Sequence, residues 1–496
     1  MRSRLPLCAV VLSMTLAGCG STVAYRATVD VPGAGLGSAG EAQNPSSQEA
    51  DQSGGIGATT GAGSATTSTT GQTLSGGSPS EGAPALRGQT GSTRALKPAE
   101  VGFIYFTDLQ SFAAATGNTS SVGDTKAQGQ AAINWVNAHG GLAGHKLAPV
   151  WAAVQLTDSR PYQQKENEVC ALFTQDHHVI AASSVGASTS DYLPECLAKH
   201  GLLYESGGAS SHDDVTWQRF PFMFSPAEAN NTYAATAILR EAIARGAVKK
   251  GDKVGLLTLE RPALMRSADN IMKPGLAKIG ASVVEYRIPL PASTTDLSSS
   301  VASVQSAQLR MATDGVTTVV SLCPACISFF AQDAESQAYY PRYVLSSLDG
   351  LTGLSGSNHA QSFDDAIALG WSPLQDVTGN FSNRKLTTTN STRQLCETIE
   401  KPTGQLQGDQ SYWASMLMCD SVLQIWQAAR RNPANPLNGA ALIKGISSFG
   451  TSWPSAVDWS STLTAHHHGG ASAYKPLHWD GGCSCFLYDK VGVSAF

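Results

Sequence analysis

Two loops rich in hydroxyls and one paired-thiol motif are the segments whose residue types could do chemistry. Gly186-Ala-Ser-Thr-Ser190 and Gly207-Gly-Ala-Ser-Ser211 each follow a short apolar run and precede a polar or helical one. Ser190 stands where a helix N-cap belongs, so the free backbone N–H groups there, with the hydroxyls of Ser188, Thr189, Ser210 and Ser211, make a receptor for a carboxylate. The alternative is that these hydroxyls only cap helices. Glu260 ends an apolar strand pattern at the same level of the fold. Cys323-Pro-Ala-Cys326 lies between a strand and a helix, the arrangement that lowers a thiol pKa in thiol-disulfide exchange. It lies deep inside a long α/β run, so a structural bridge is the default. His466-His-His468 with His478 could bind a metal, but three adjacent imidazoles cannot all face one ion, and no metal is expected. The usual hydrolase, zincin and P-loop signatures are absent, so no catalytic residue is assigned and no cofactor is expected.

The cysteines also speak of compartment. Ten are present; Cys8 falls in an N-terminal segment expected to be removed, and Cys19 follows it directly. The remaining eight form an even set suited to an oxidising environment. Cys170 and Cys196 lie on consecutive helices around one strand, and Cys396 and Cys419 on neighbouring helical segments. Cys323, Cys326, Cys483 and Cys485 remain. Either Cys483 and Cys485 pair with each other across a turn, or they pair with the 323/326 loop.

Residues 1–18 combine Arg2 and Arg4 with an apolar stretch over 5–18, too short to span a bilayer and typical of an export signal. Leu16-Ala17-Gly18-Cys19 resembles the bacterial lipoprotein box, which implies lipidation at Cys19 and an extracytoplasmic protein lipid-anchored to the bacterial cell membrane. Loss of residues 1–18 removes two arginines and takes the net charge from -5 to -7. That balance shows no footprint for nucleic acid. From 19 to 97 the chain is Gly, Ser, Thr, Ala, Gln and Pro, unable to bury enough apolar surface to order itself. As a coil it spans on the order of 50 Å. Gly35-x-Gly37-x-x-Gly40 inside it lacks the flanking strand and helix of a dinucleotide site.

Beyond Pro98, apolar runs of strand length alternate with helical patterns. Helices are expected over 126–138, 162–175, 191–200, 228–245, 263–279, 295–312, 328–339 and 409–431, and terminal strand material over 478–489. Such alternation indicates parallel sheets covered on both faces, and the length exceeds one core, so two α/β lobes are expected.

Val101-Gly-Phe-Ile-Tyr-Phe-Thr-Asp108, Val122-Gly-Asp124 and Ala132-Ile-Asn-Trp-Val-Asn-Ala-His-Gly-Gly-Leu-Ala-Gly-His-Lys-Leu147 resemble the opening of branched-chain amino-acid-type substrate-binding proteins. The paired glycines suit a left-handed helix end and Gly144 a tight turn. The resemblance implies a type I periplasmic-binding fold: two doubly wound Rossmann-like lobes joined by a three-segment hinge. The parts would be 98–225 and 371–470 for lobe 1, with 226–370 and the C-terminal segment 471–496 for lobe 2. It implies a monomer that closes on a small-molecule ligand and presents it to an ABC permease, without being an enzyme. By order of elements it places Ser188 and Ser210 near the family's ligands for an amino-acid carboxylate and ammonium. Asp349, in Ser346-Ser-Leu-Asp-Gly350, falls near the acid that pairs the ammonium, or is an ordinary Asp-Gly turn. Val122 and Cys323-Pro-Ala-Cys326 depart from the family's pocket residues. The expected function is therefore capture of a small, polar, amino-acid-like solute for import. A sensing receptor of the same fold, or a thiol-disulfide oxidoreductase using Cys323 and Cys326, are the alternatives.

Overall fold

The computed structural model describes residues 96–111, 121–186, 190–207, 211–355, 360–378 and 390–496. The expected signal segment, Cys19, the tether up to residue 95, and Ser188, Thr189 and Ser210 lie outside the described residues.

The strands are β1 (Ala99–Phe106), β2 (Leu147–Val154), β3 (Ala181–Ser184), β4 (Leu203–Glu205), β5 (Met223–Ala229), β6 (Lys253–Leu259) and β7 (Ser282–Ile288). They continue as β8 (Thr318–Leu322), β9 (Arg342–Ser346), β10 (Ile367–Gly370), β11 (Gly469–Ala471), β12 (Ala473–Asp480), β13 (Cys485–Tyr488) and β14 (Ser494–Ala495). The helices begin with α1 (Thr125–Ala138), α2 (Tyr162–Ala171), α3 (Tyr192–Lys199), α4 (Asp214–Arg219), α5 (Asn231–Ala244), α6 (Pro262–Ser267) and α7 (Lys273–Lys278). After them come α8 (Leu297–Thr313), α9 (Cys326–Ser336), α10 (Leu351–Leu354), α11 (Pro373–Asp376), α12 (Ser391–Glu400), α13 (Asp409–Arg431) and α14 (Gly439–Ser447).

Two sheets result. Lobe 1 has the order β11-β5-β4-β3-β1-β2, every neighbour parallel. Lobe 2 has the order β13-β12-β10-β9-β8-β6-β7, parallel from β10 to β7 and closed by antiparallel β12 and β13. The chain passes between lobes after β5, after β10 and between β11 and β12. This is a pair of doubly wound α/β lobes with a three-strand connection. Helices cover both faces of each sheet, so strands such as β8, buried throughout, read as unbroken apolar runs.

Lobe 1 packs α1, α13 and α14 on one sheet face and α2, α3 and α4 on the other. Asp124 caps α1 by accepting from the N–H groups of Lys126 and Ala127, each at 3.0 Å. Gly140 and Gly141 end it at φ +93° and +63°, and a Cβ on Gly141 would lie 2.1 Å from the His145 carbonyl oxygen. The Cys396–Cys419 disulfide ties α12 to α13, with Cα atoms 5.7 Å apart. Closing a loop of that length stabilises by about 3 kcal/mol in the chain-entropy model.

One expected boundary is corrected. The pattern over 228–245 reads as one helix, but Glu228 and Ala229 close β5, and α5 starts only at Asn231. Asn230 is the cap, its side-chain oxygen accepting from Thr232 N–H at 2.9 Å. Pro226 and several small residues hide the strand, whose partners β4 and β11 supply the pairing. The segment 478–489 is divided by a turn over 481–484 into β12 and β13.

Candidate ligand cleft

The two lobes meet at the carboxyl ends of their strands, where open α/β sheets bind ligands. Arg266 of α6 in lobe 2 reaches Asp213 of lobe 1 with two hydrogen bonds, Nε to Oδ2 at 2.6 Å and Nη2 to Oδ1 at 2.7 Å. Burial works to raise the Asp213 pKa, but the Arg266 guanidinium and Thr216 hold it below the ordinary value. Elsewhere along the seam Tyr162 N–H donates to the Ala292 carbonyl at 2.9 Å and Gln410 Nε2 to Thr352 Oγ1 at 2.8 Å. The Thr294 hydroxyl donates to the Leu156 carbonyl. These contacts join the two lobes across the seam.

The loop after β3 is not open to a ligand carboxylate at its helix start. Glu166, from α2 and buried, places its carboxylate at the N-terminus of α3. It accepts from Ser190 N–H at 3.2 Å, from Leu193 N–H at 3.3 Å and from the Ser190 hydroxyl. The Ser190 hydroxyl in turn accepts from Tyr192 N–H at 3.1 Å. The anion that this helix end attracts is thus supplied by the protein itself.

The loop after β4 differs. Gly207 packs so tightly that a Cβ would lie 2.3 Å from the Val185 carbonyl oxygen. Ser211 is 1% exposed, and its hydroxyl has no hydrogen-bond partner among the described residues. It lines a cavity of about 410 Å³, mouth included, between Asp191, His212, Thr216 and Arg219 of lobe 1 and Arg261, Pro262 and Arg266 of lobe 2. Arg219 is paired with Asp191 at 2.7 Å and Glu195 at 2.9 Å. Arg261 is 9% exposed, and its charge is felt by Tyr204 in lobe 1. Burial first, then the Glu166 charge, raises the Tyr204 pKa, and Arg261 pulls it back. A second, mostly apolar pocket of lobe 1, about 400 Å³ with its open mouth included, lies among Phe106, Leu156, Tyr162, Leu193 and Tyr204, with Glu166 and Lys165 also on its wall.

Glu260 is exposed and outside these cavities, its N–H donating to the Ile288 carbonyl at 2.8 Å. The next residue, Arg261, is the one that enters the cleft; sequence reasoning missed it and Glu166. Pro262 at the first position of α6 signals a helix start and would have marked Arg261 as a strand-end loop residue. Asp349 is buried at the end of β9, away from Ser211's cavity. Its Oδ2 accepts from Ser346 N–H at 2.8 Å in a capping box, and burial pushes its carboxyl up to about 7 against the pull of Ser321 and Ser346.

Among the described residues the cysteines pair as Cys170–Cys196, Cys323–Cys326, Cys396–Cys419 and Cys483–Cys485. No group of three or more His, Cys, Asp or Glu among them is placed to hold a metal ion. His467 and His468 instead direct Nδ1 to the carbonyls of Thr462 and Met223, at 2.8 and 2.7 Å. No described helix is long and apolar enough to cross a membrane.

Solved structures with the same architecture are numerous. A branched-chain amino acid ABC transporter protein from Thermus thermophilus with bound valine is 15% identical with a TM-score of 0.57, over 81% of this chain and 98% of that one. A substrate-binding protein from Desulfitobacterium hafniense in complex with Leu is 14% identical with a TM-score of 0.53, over 79% and 100%. A fatty acid ABC transporter substrate-binding protein from Thermomonospora curvata is 16% identical with a TM-score of 0.54, over 79% and 91%. These likenesses speak to the fold alone. No curated protein matches by sequence. Residues 112–482 match the periplasmic binding protein family across most of the chain, and the two hinged lobes are that family's architecture, so the chain belongs to the periplasmic binding protein family.

Proposed function

We propose that this chain is an extracytoplasmic, lipid-anchored solute-binding protein that captures a small polar, amino-acid-like ligand between its lobes for an ABC importer. The observation that carries the reading is the interlobe cavity in which the buried hydroxyl of Ser211, without a hydrogen-bond partner among the described residues, faces the same space as Arg261. A hydroxyl and a guanidinium converging from opposite lobes suit a carboxylate, because a charge-assisted contact made only when both lobes are present favours the closed form. The adjacent apolar pocket suits an aliphatic or aromatic group on the same solute. Ser188, Thr189 and Ser210 would complete the polar contacts from lobe 1, and lipidation at Cys19 would hold the lobes near a permease. The mechanism is capture and hinge closure, with no covalent step.

The test is thermal unfolding of the oxidised protein against amino acids, their amides, fatty acids and other small carboxylates. A true ligand at ~100 times its dissociation constant adds about 2.7 kcal/mol, a shift of a few degrees at this size. A carboxylate should raise the midpoint where its amide does not. Equal response to both, or to neither, would remove the carboxylate reading.

A further inference from the structure

Of the four disulfides among the described residues, three are buried. Cys170 and Cys196 are each 8% exposed, Cys323 and Cys326 are 0% and 6%, and Cys396 and Cys419 are both 0%. Cys483 is exposed, at the tip of the β12–β13 hairpin, while its partner Cys485 is buried at the start of β13. Only Ser484 lies between them, held at φ +50°, a left-handed conformation that a residue with a Cβ rarely adopts. The tip is otherwise Gly481 and Gly482, both exposed, and the Cys483 N–H donates to Asp480 Oδ1 at 3.0 Å. So small a loop contributes little chain-entropy stabilisation, whereas the pairs separated by 26 and 23 residues contribute much more. Exchange rates depend on access to the attacked sulfur, and opening this ring releases Ser484 from its backbone strain.

We infer that the Cys483–Cys485 disulfide is a thiol–disulfide exchange site for low-molecular-weight thiols, separate from the ligand cleft. A thiolate, its proton already lost to solvent, attacks the exposed Cys483 Sγ and forms a mixed disulfide there. The Cys483–Cys485 bond breaks, its electron pair leaves on Cys485 Sγ, and that thiolate takes a proton from water. A second thiol completes the reduction, releasing the oxidised small-molecule disulfide and leaving two protein thiols. Return attack by the Cys485 thiolate on the mixed disulfide reverses the first step. This assigns redox contact with the surroundings to the hairpin tip and leaves the buried Cys323–Cys326 pair as a structural bridge.

The experiment treats the oxidised full-length protein with glutathione under native conditions, quenches with acid, alkylates free thiols and maps both products by peptide mass spectrometry. A glutathionyl group should appear on Cys483 and an alkyl group on Cys485 at least about tenfold faster than label on the six cysteines of the other three described disulfides, because those sulfurs are buried. A double substitution, Cys483→Ser with Cys485→Ser, should remove the adduct while keeping the thermal midpoint. If that variant fails to fold, the order of labelling in the unaltered protein decides. Label on Cys323 or Cys326 first, an adduct that persists in the folded double variant, or no adduct short of unfolding would each overturn the assignment.

Discussion

The loops after β3 and β4 are near twins in composition, and the molecule uses them differently. Both leave a short parallel strand of lobe 1 through glycine, run through small hydroxyl residues and lead to a helix. In the first, the helix end is occupied by the protein's own carboxylate, Glu166, 24 residues upstream of Ser190. In the second, the Ser211 hydroxyl has no partner among the described residues and lies in a cavity that Arg261 enters from the opposite lobe. Hydroxyl content is therefore a poor guide to a ligand site. A loop whose polar groups a distant residue has already satisfied has less to offer a ligand than one whose hydroxyl is left over.

That difference can be broken from either side. Replacing Arg261 with Met should have the largest effect on binding, lowering affinity for a carboxylate ligand by about 10- to 100-fold, the loss of one hydrogen bond to a charged group. Calorimetric titration with the ligand found by thermal screening measures it, and unchanged affinity would move the anion contact elsewhere. Ser211→Ala should weaken binding by about tenfold or less while leaving the unliganded midpoint level or slightly higher, since a buried hydroxyl without a partner is removed. Glu166→Ala sharpens the contrast, costing about 1–3 kcal/mol of stability by stranding the N–H groups of Ser190 and Leu193. Affinity should fall less than in Arg261→Met, although Glu166 also lines the apolar pocket. A large loss of affinity in Glu166→Ala would mean that the α3 N-terminus is part of the ligand site after all.

The last expectation moves stability alone. Burial pushes Asp376, beside the hinge crossing, up to about 7, against the hydrogen bonds from Tyr488, Ser347 and Ser372. The folded protein then holds this proton where the unfolded chain has lost it, so stability from this group falls as pH rises from about 4 to 7 and levels off above. Asp376→Asn should flatten that part of the midpoint-versus-pH curve. Asp213 behaves oppositely: its folded pKa is lowered, so the Arg266 contact is fully present above about 4 and fades only below. A curve unchanged by Asp376→Asn would show that the carboxyl is ionised throughout this range.

Much of this was legible in the sequence where the cause is local. The α1 segment carries its own cap at Asp124 and its own stop at Gly140 and Gly141, so boundaries and the turn into β2 could be read directly. Apolar runs alternating with helical patterns are enough to give two α/β lobes. β5 was not legible, because its strand character comes from pairing with β11, more than 200 residues away, and not from its own Pro and small residues. At the cleft, Ser211 could be named from its loop, but Glu166 and Arg261 act through tertiary contacts that no spacing announces. Glu260 and Arg261 illustrate the limit: of two neighbours just past the end of β6, one is exposed and the other lines the cavity between the lobes, and nothing in their order says which. Asp349 stands between the two: its own turn engages Oδ2, while Oδ1 is buried without a hydrogen-bond partner among the described residues.

The most direct test of the central claim is a crystal structure of the protein with its thermally identified ligand bound. The ligand's anionic group should lie within about 3.2 Å of both the Arg261 guanidinium and Ser211 Oγ, with Glu166 still seated on the N-terminus of α3. An anionic group bound instead to the N–H groups of Ser190 and Leu193, with Glu166 displaced, would contradict it.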